Sequence, residues 1–458
     1  MKTYLIRLFT FIFLLTSCIP APLSTPPSVV DNTQTPVVAT SAITTATTIP
    51  SPTVAITPKI STPTFIPAPL PDDLIFTYIA EDGLWVWKQG NSALLVQQQN
   101  IYMPRISDDG QWILFAQRLG SRNDGERPFD ELWIVRTDGS ELHRLLGKDD
   151  LIALTGEEAA LFIYDADWIS ESQTILFNTE KVIDGPPGSV PLFDLYSLEI
   201  TGQVKRLAEA GSGGKFRISP TGTHVALTTN TRIAVLDLRN GEQRTLLDYK
   251  PLQIPSEITF IARVVWDPQG KFVMTSIPPE KFHYSDYAGE PVQVWRLFVN
   301  GQKELITEFQ PSFRDLGVSV SPNAQYVLYL DESCFPKTGM LTVHEVTSTS
   351  KTSLFCTWNL PRWTPDNEHF YFQADDGLWQ IGSISSPAYQ PLDVLNVPTA
   401  PNIHIPQQLI WVNDEYFLLV LRSIDMCTLN IATLEGIVTE ITRTPPDKCP
   451  WNIDFSFP

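Results

Sequence analysis

Two carboxylates separated by one residue, Asp165 and Asp167, are the side chains best placed for acid–base chemistry in this sequence. They precede Trp168 in a short apolar stretch typical of a β-strand, in which residues i and i+2 face the same side. Glycoside hydrolases use two carboxylates that flank the bond to be cleaved. Arg105 and Arg217 stand at comparable places before other apolar strands. We therefore favour ion pairs between neighbouring strands over catalysis for Asp165 and Asp167.

A second group of candidates lies in two long connections between predicted strands, residues 117–130 and 278–291. Arginine and aromatic side chains, which are enriched at protein interfaces, occur in both. The candidate ligand-binding residues are Arg118, Arg122, Arg127 and Phe129 in the first connection, and Phe282, Tyr284 and Tyr287 in the second. Connections of this length either bind a partner or fold over a neighbouring opening, and the sequence leaves both alternatives open.

Other motifs that carry chemistry are missing from the sequence. No G-x-S-x-G motif, phosphate-binding loop or dinucleotide-binding glycine motif occurs, and the six histidines show no metal-ligand spacing. The net charge of −19 argues against nucleic acid and anionic lipid head groups as partners, because both repel an acidic surface. We predict no metal, no cofactor, no nucleic-acid partner and no catalysis.

A recurring turn with the pattern S-P-D-G marks the β-strands that position these residues. Its variants lie at 107–110, 219–222, 267–270, 321–324 and 364–367. Each variant separates two short apolar strands, and the spacing is roughly 45 residues, which is typical of a β-propeller built from four-stranded blades. We label the four strands of a repeat a to d, from the centre of the propeller outward. The a-to-b and c-to-d turns of each repeat are short, whereas the b-to-c and d-to-a connections are long. One face of the propeller should therefore be trimmed and the other elaborated.

The number of blades follows from the ends of the repeat array. Seven complete units are followed along residues 105–442, and residues 74–96 form an eighth that lacks its first strand. The segment 453–458 supplies that strand if the two ends of the array pair. We predict an all-β propeller of eight four-stranded blades, closed by the C-terminal strand, with seven blades as the alternative.

Four tryptophans support this register. Trp168, Trp266, Trp363 and Trp411 all occupy the same place, directly before the turn that follows the first strand of a repeat. Large rings that recur at the repeat spacing are far more often core than ligand contacts, because each can bury 150–250 Å². We predict that they pack between neighbouring blades.

The repeats resemble the TolB-type and WD-like propeller repeats of exported bacterial proteins. The likeness is carried by I-S-D-D-G-Q-W-I-L-F at 106–115, D-E-L-W-I-V at 130–135 and R-W-T-P-D at 362–366. It implies the propeller fold over nearly all of residues 72–458. The family includes TolB, which binds a partner lipoprotein, and the propellers of dipeptidyl-peptidase-like enzymes. This sequence has neither the α/β region that precedes the TolB propeller nor the hydrolase domain that follows the peptidase propellers.

The N-terminal region looks like that of a bacterial lipoprotein. Residues 1–18 combine basic residues, an apolar run and the ending L-T-S-C, which resembles a lipobox and marks Cys18 as the lipid attachment site. Residues 19–71 are rich in Pro, Thr and Ser and predict a disordered stalk. We expect an exported protein held by lipid on the outer face of a bacterial membrane, in the periplasm or at the cell surface.

The remaining cysteines form two pairs with the same spacing. Cys334 and Cys356 are separated by 22 residues, as are Cys427 and Cys449. Both pairs are predicted to follow the second and fourth strands of their repeats. In an exported protein this arrangement favours disulfides within a blade over metal ligands or free thiols.

The sequence as a whole predicts a membrane-anchored propeller that acts as a non-catalytic binding or scaffold module. Its expected partner is an unknown protein or glycan of the cell envelope. The alternative is a propeller glycosidase or lyase whose site lies at the mouth of the central channel.

Overall fold

The computed structural model describes residues 73–456, with gaps at 82, 121–127, 158–160, 184, 186–187, 253–258, 281–289, 312–316, 332–333, 335–337, 349, 375–377, 393–404 and 435. The predicted signal peptide, Cys18 and the predicted stalk lie outside the described residues. The side chains of residues 405–407 also lie outside them.

Eight antiparallel sheets follow one another along the chain, and each is one blade of a β-propeller. In every blade the strands pair in the order a-b-c-d. The prediction of an all-β, eight-bladed propeller is confirmed, and the seven-blade alternative is wrong. Short strands joined by tight turns favour this architecture, because a ring of sheets leaves few exposed sheet edges.

The first four blades use the N-terminal half of the array and the C-terminal strand. Blade 1 contains β1 (Ile75–Ala80), β2 (Gly83–Lys88), β3 (Asn91–Gln97) and, as strand a, β33 (Trp451–Ser456). Blade 2 contains β4 (Ile101–Ile106), β5 (Trp112–Leu119), β6 (Phe129–Arg136) and β7 (His143–Leu146). Blade 3 contains β8 (Leu161–Trp168), β9 (Thr174–Val182), β11 (Leu195–Glu199) and β12 (Val204–Ala208), with the short β10 (Ser189–Pro191) beside β9. Blade 4 contains β13 (Lys215–Ile218), β14 (His224–Thr228), β15 (Arg232–Asp237) and β16 (Gln243–Asp248).

The other four blades are continuous in sequence. Blade 5 contains β17 (Val264–Trp266), β18 (Phe272–Ile277), β19 (Val292–Phe298) and β20 (Lys303–Phe309). Blade 6 contains β21 (Ser319–Val320), β22 (Tyr326–Asp331), β23 (Gly339–Glu345) and β24 (Lys351–Thr357). Blade 7 contains β25 (Arg362–Trp363), β26 (His369–Gln373), β27 (Trp379–Ser383) and β28 (Ser386–Pro391). Blade 8 contains β29 (Ile405–Trp411), β30 (Tyr416–Arg422), β31 (Cys427–Thr433) and β32 (Val438–Thr444).

One helix, α1 (Lys148–Thr155), lies in the connection between blades 2 and 3. Among the described residues, no helix is long and apolar enough to span a membrane.

The recurring turn is held by the same bonds wherever its pattern is kept. In the turn at 107–110, the amide of Gly110 donates to the carbonyl of Ser107 at 2.8 Å, and the Ser107 hydroxyl accepts from the amide of Trp112 at 3.0 Å. The fourth position has a positive φ, 63° at Gly110. Glycine reaches this conformation without the penalty that a Cβ brings, which explains its preference there. Ala324 and Asn367 adopt it as well, at 56° and 65°.

The hydrophobic core is divided among the interfaces between adjacent blades. Each of eight apolar clusters draws its buried side chains from two neighbouring blades, and together they complete the ring. The four repeat tryptophans lie in these clusters with 5–9 % of their surface exposed. Their predicted core role is confirmed. Burial of these rings is a large part of what joins one blade to the next.

The C-terminal strand closes the ring, as predicted. β33 pairs antiparallel with β1, with Phe455 opposite Phe76 and Asp454 opposite Thr77. It also contacts blade 2, because the Asp454 carboxylate accepts the amide of Ile106 at 2.8 Å. The strand therefore completes blade 1 and holds it to blade 2.

The two ends of the propeller differ in the length of their connections. The a-to-b turns and c-to-d turns at one end are short. The b-to-c and d-to-a connections at the other end include the long segments 147–160, 249–263, 278–291 and 392–404, although those of blades 1, 4 and 8 between strands b and c are short. We call this second end the loop face.

Two disulfides join Cys334 to Cys356 in blade 6 and Cys427 to Cys449 in blade 8, with Cα separations of 6.0 and 5.1 Å. Their predicted identical placement is wrong. Cys334 lies between strands b and c and Cys356 lies within strand d, whereas Cys427 is the first residue of strand c and Cys449 follows strand d. Both bridges still lie at the loop face, because strand c begins and strand d ends there.

Candidate functional site

The channel wall is built from one equivalent residue in strand a of each blade, directly before the residue that enters the core between blades. Four successive blades place alternating charges at this position, and the remaining blades place mostly uncharged side chains. In order from blade 1 to blade 8 the residues are Asp454, Arg105, Asp167, Arg217, Val265, Ser319, Arg362 and Ile410.

Asp165 and Asp167 take part in ion pairs that cross from blade to blade. The Arg105 guanidinium lies 3.9 Å from a carboxylate oxygen of each aspartate. Asp165 also lies 3.8 Å from the guanidinium of Arg217 in the following blade. Charged groups at these separations attract each other more strongly here than on an open surface, because protein surrounds the channel. The sequence pointed to these pairs but not to their third acidic neighbour.

That neighbour is Asp454, which the closing strand places near Asp167. Burial raises the pKa of Asp167 to about 6, with the Asp454 and Asp165 carboxylates adding to the rise and Arg105 opposing it. Water in the channel still reaches Asp167, because 45 % of its side chain is exposed. Burial raises the pKa of Asp165 and Asp454 as well. The repeat register contains the signal for Asp454, since aligning Phe455 with Trp168 puts it at the position of Asp167.

Arg118, a predicted ligand contact, is held in a network between blades 2 and 3. Its Nε donates to Asp130 Oδ1 at 3.0 Å, and its guanidinium lies 3.5 Å from the ring centroid of Phe162. The fully buried Asp130 carboxylate also accepts from the Tyr102 hydroxyl and, at 2.8 Å, from the amide of Ile163. Burial raises the pKa of Asp130, and the Arg118 guanidinium opposes the rise. This network joins two blades and leaves Arg118 engaged within the protein.

The other predicted ligand contacts are not assembled into a site by the described residues. Phe129 begins β6, and the ammonium group of Lys148 lies 5.3 Å from its ring centroid. The remaining predicted contacts, Arg122, Arg127, Phe282, Tyr284 and Tyr287, lie outside the described residues.

A cavity of about 390 Å³ lies between blades 7 and 8, towards the loop face. It brings together three amide side chains, three aromatic rings, one guanidinium and two leucines. Its lining residues are Asn359, Leu360, Arg362, Tyr371, Phe372, Gln373, Trp379, Gln408 and Leu409. This volume falls within the usual range for small-ligand sites, about 300–1,000 Å³.

The cavity coincides with an irregularity in the repeat. At three other interfaces the strand-a tryptophan donates its indole N–H to the carbonyl of the channel-wall residue of the preceding blade. These bonds run from Trp168 to Arg105, Trp266 to Arg217 and Trp363 to Ser319, at 3.0, 2.9 and 2.9 Å. The equivalent bond of Trp411 would reach Arg362, but its buried indole N–H has no partner among the described residues. Blades 7 and 8 thus lack the bond that ties three other blade pairs at the channel.

Sequence reasoning missed the residues of this cavity. Gln373 ends strand b and Trp379 begins strand c, so the fold places them at the loop face of blade 7. Gln408 comes from blade 8, next to a register shift in β29. The lining residues come from separate strands of two blades, and no motif in the sequence marks them.

Within the part of the chain that the structure describes, no three His, Cys, Asp or Glu side chains converge in a way that could hold a metal ion. The candidate site is therefore described by its amide, aromatic and guanidinium groups.

Comparisons with known proteins found distant likenesses among solved structures. No family model and no curated protein matches the chain. A eukaryotic initiation factor is 12 % identical with a TM-score of 0.49, covering 81 % of this chain and 84 % of that one. TolB from Acinetobacter baumannii is 13 % identical with a TM-score of 0.35, covering 76 % and 83 %. Dipeptidyl peptidase 4 from Porphyromonas gingivalis is 12 % identical with a TM-score of 0.48, covering 74 % and 53 %. Likenesses at this level carry no information about function.

Proposed function

We propose that this protein is a non-catalytic binding module that holds a glycan of the cell envelope in the cavity between blades 7 and 8. The observation that carries the proposal is the cavity itself, which opens where the repeat loses a bond between blades. A buried N–H without a partner breaks a rule of stable packing, and such departures are expected at functional sites.

The size of the cavity favours a glycan or a short segment over a folded protein partner. A stable protein interface buries about 800 Å² on each partner, which is a broad surface rather than an enclosed space. A half-open cavity of about 390 Å³ has room for a ligand of a few rings rather than for a folded domain. An envelope protein as partner remains the alternative within this proposal, and it would use the wider loop face.

The chemistry of the lining favours sugar rings over other small ligands. Each of the amides Asn359, Gln373 and Gln408 carries both a donor and an acceptor, as the hydroxyl groups of a sugar require. Trp379 is half-buried and offers a ring against which the C–H face of a sugar can pack. The nine lining residues include no carboxylate, so they offer no general acid for cleavage of a glycosidic bond.

A glycosidase or lyase is the second candidate, and one observation favours it. Asp165, Asp167 and Asp454 lie around Arg105 in the channel, and a pKa of about 6 suits Asp167 to proton transfer. Each carboxylate is also bonded to a backbone amide, which points to a structural role. Asp454 accepts from Ile106, and Asp165 and Asp167 accept from the residues that follow them.

The test measures binding and cleavage with the same ligands. Full-length protein in detergent is titrated with a panel of soluble neutral and acidic oligosaccharides, and heat and product size are recorded. The proposal expects binding of at least one oligosaccharide without shortening of the chain. Trp379→Ala should weaken that binding at least tenfold, because stacking on the ring is lost.

Trp295→Ala is the matched control, since Trp295 is a half-buried tryptophan of strand c in blade 5 and is not among the lining residues. It should bind as the parent protein does. Shortened products that disappear in Asp167→Asn would replace the proposal with the enzyme candidate. Absence of binding across the panel, or equal loss in both aromatic variants, would overturn it.

The proposal includes the setting predicted for the module, an exported lipoprotein attached to a bacterial membrane through Cys18. Two disulfides agree with an oxidising compartment. Mass analysis of the protein from its native membrane should find Cys18 acylated at the mature N-terminus. Cys18→Ala should leave the protein unprocessed or release it, and an unmodified N-terminus elsewhere would refute the anchor.

A further inference from the structure

We propose that the cavity between blades 7 and 8 selects an acidic saccharide, with Arg362 binding the carboxylate of a uronic acid residue. The inference rests on the proposed function and adds the class of ligand. It depends on the charge, the exposure and the surroundings of this one guanidinium.

Arg362 is the only charged residue among the nine that line the cavity. It comes from strand a of blade 7, so it stands where the cavity meets the central channel. Within the described residues no carboxylate pairs with it, whereas Arg105 and Arg217 at the same position of other blades are paired with Asp165. An exposed guanidinium without a carboxylate partner can bind the carboxylate of a ligand by donating two parallel hydrogen bonds to it.

The charge of the whole protein makes this arrangement informative. With a net charge of −19, an average surface site of the protein repels anions. The cavity differs because its lining has one cation and no carboxylate. A ligand that entered only for its hydroxyl groups would not need the guanidinium, and a neutral lining would serve it as well.

Tyr371 is the cross-strand neighbour of Arg362 in the cavity lining. It lies opposite Arg362 in the pairing of β25 with β26 and is 5 % exposed. Burial raises the pKa of Tyr371, and the nearby Arg362 guanidinium opposes the rise. The ring is in turn held by Trp379 and Trp411, each with its ring centroid 6.1 Å away. A positioned guanidinium loses less conformational freedom when it binds an anion.

The other lining groups match the remainder of a uronic acid residue. Asn359 donates from Nδ2 to the carbonyl of Gln373 at 3.1 Å, which leaves its amide oxygen available to accept from a hydroxyl group. Gln408 faces the same space from blade 8. A sugar with one carboxylate and several hydroxyl groups would therefore meet a cation at one end and amides along its length.

The test uses pairs of tetrasaccharides that differ only in the oxidation of C6. The pairs are β-1,4-linked glucuronate and glucose, α-1,4-linked galacturonate and galactose, and β-1,4-linked mannuronate and mannose. Each is titrated into full-length protein in detergent at low salt. We expect at least one acidic member to bind tenfold or more tightly than its neutral counterpart, as a charge-assisted hydrogen bond predicts.

Two variants locate the preference. Arg362→Gln should abolish the difference between the members of that pair and leave weak binding of both. Arg217→Gln removes a cation from the same strand position in blade 4 and should preserve the preference. Equal binding of acidic and neutral members would overturn the inference and leave the proposed function intact. A preference for the acidic member that survives in Arg362→Gln, or that is lost only in Arg217→Gln, would also overturn the inference. Absence of binding to every tetrasaccharide and to the wider panel would overturn the inference and the proposed function together.

Discussion

The indole N–H of Trp266 donates to the carbonyl oxygen of Arg217 at 2.9 Å, and this bond ties blade 5 to blade 4 beside the channel. Trp411 occupies the same position in blade 8, but its indole N–H has no partner among the described residues. The two tryptophans are similarly buried, at 8 % and 9 % exposure. They therefore separate the contribution of the hydrogen bond from that of ring burial.

Replacing each tryptophan by phenylalanine should show this difference. Both variants lose part of a buried ring, but only Trp266→Phe breaks a hydrogen bond. We expect Trp266→Phe to lower the free energy of unfolding by about 1 kcal/mol more than Trp411→Phe. Urea unfolding followed by fluorescence measures both, and equal losses would contradict the asymmetry between the interfaces.

Removal of residues 451–458 should destabilise the propeller as a whole. Without β33, strand β1 keeps β2 but loses its partner on the other edge, and the amide of Ile106 loses the Asp454 carboxylate. The exposed edge of β1 should also promote association of the truncated chains. We expect a clearly lower urea midpoint together with larger species in gel filtration. Removal of 457–458 alone is the control, and a truncated protein as stable as the full chain would disprove closure.

The channel carboxylates should make stability fall as the pH rises from about 4 to about 6. An aspartate has a pKa of about 3.9 in an unfolded chain, whereas the pKa of folded Asp167 is about 6. In this interval the folded protein binds a proton that the unfolded chain has released, so the stabilisation present at low pH is lost as Asp167 ionises. Asp167→Asn should reduce this fall, measured as the urea midpoint across pH 4–7.

Asp138→Asn provides a control of opposite sign. Hydrogen bonds from Ser140 lower the pKa of the exposed Asp138 carboxylate. Its contribution to stability is therefore present above the unfolded pKa and lost at lower pH.

The fall in stability should not vanish completely in Asp167→Asn. Arg105, Asp165 and Asp454 face Asp167 and remain in this variant, so the slope of stability against pH should only decrease. A slope of stability against pH identical to that of the parent protein would contradict the raised pKa of Asp167.

Loss of the disulfide between Cys427 and Cys449 should weaken the closing strand. The bridge ties strand c of blade 8 to the segment that leads into β33. A loop of 22 residues predicts up to about 3 kcal/mol of stabilisation. The Cys427→Ala/Cys449→Ala variant should lose stability by urea unfolding. Added reductant should lower the stability of the parent protein more than that of this variant. Free thiols at Cys427 and Cys449 of the parent protein would contradict the bridge.

The sequence by itself determined the features that depend on short stretches of chain. The turn at 107–110 is encoded by residues that contact one another directly, because the side chain that caps it and the glycine that permits its positive φ are local. The spacing of Trp168 and its equivalents defined the register, and counting strands from both ends gave eight blades and the closing role of 453–458. All of these follow from a period that repeats along the chain.

The tertiary structure alone decided which distant residues meet. Asp454 approaches Asp167 only because the last strand pairs with the first. Arg118 belongs to a network between blades because its partner Asp130 also accepts the amide of Ile163 in the next blade. The cavity beside Arg362 combines residues of blades 7 and 8, at the interface where the Trp411 indole N–H has no partner among the described residues. Such pairings depend on the angle and distance between whole blades. Those are set by the packing of many side chains together, so no short pattern in the sequence encodes them.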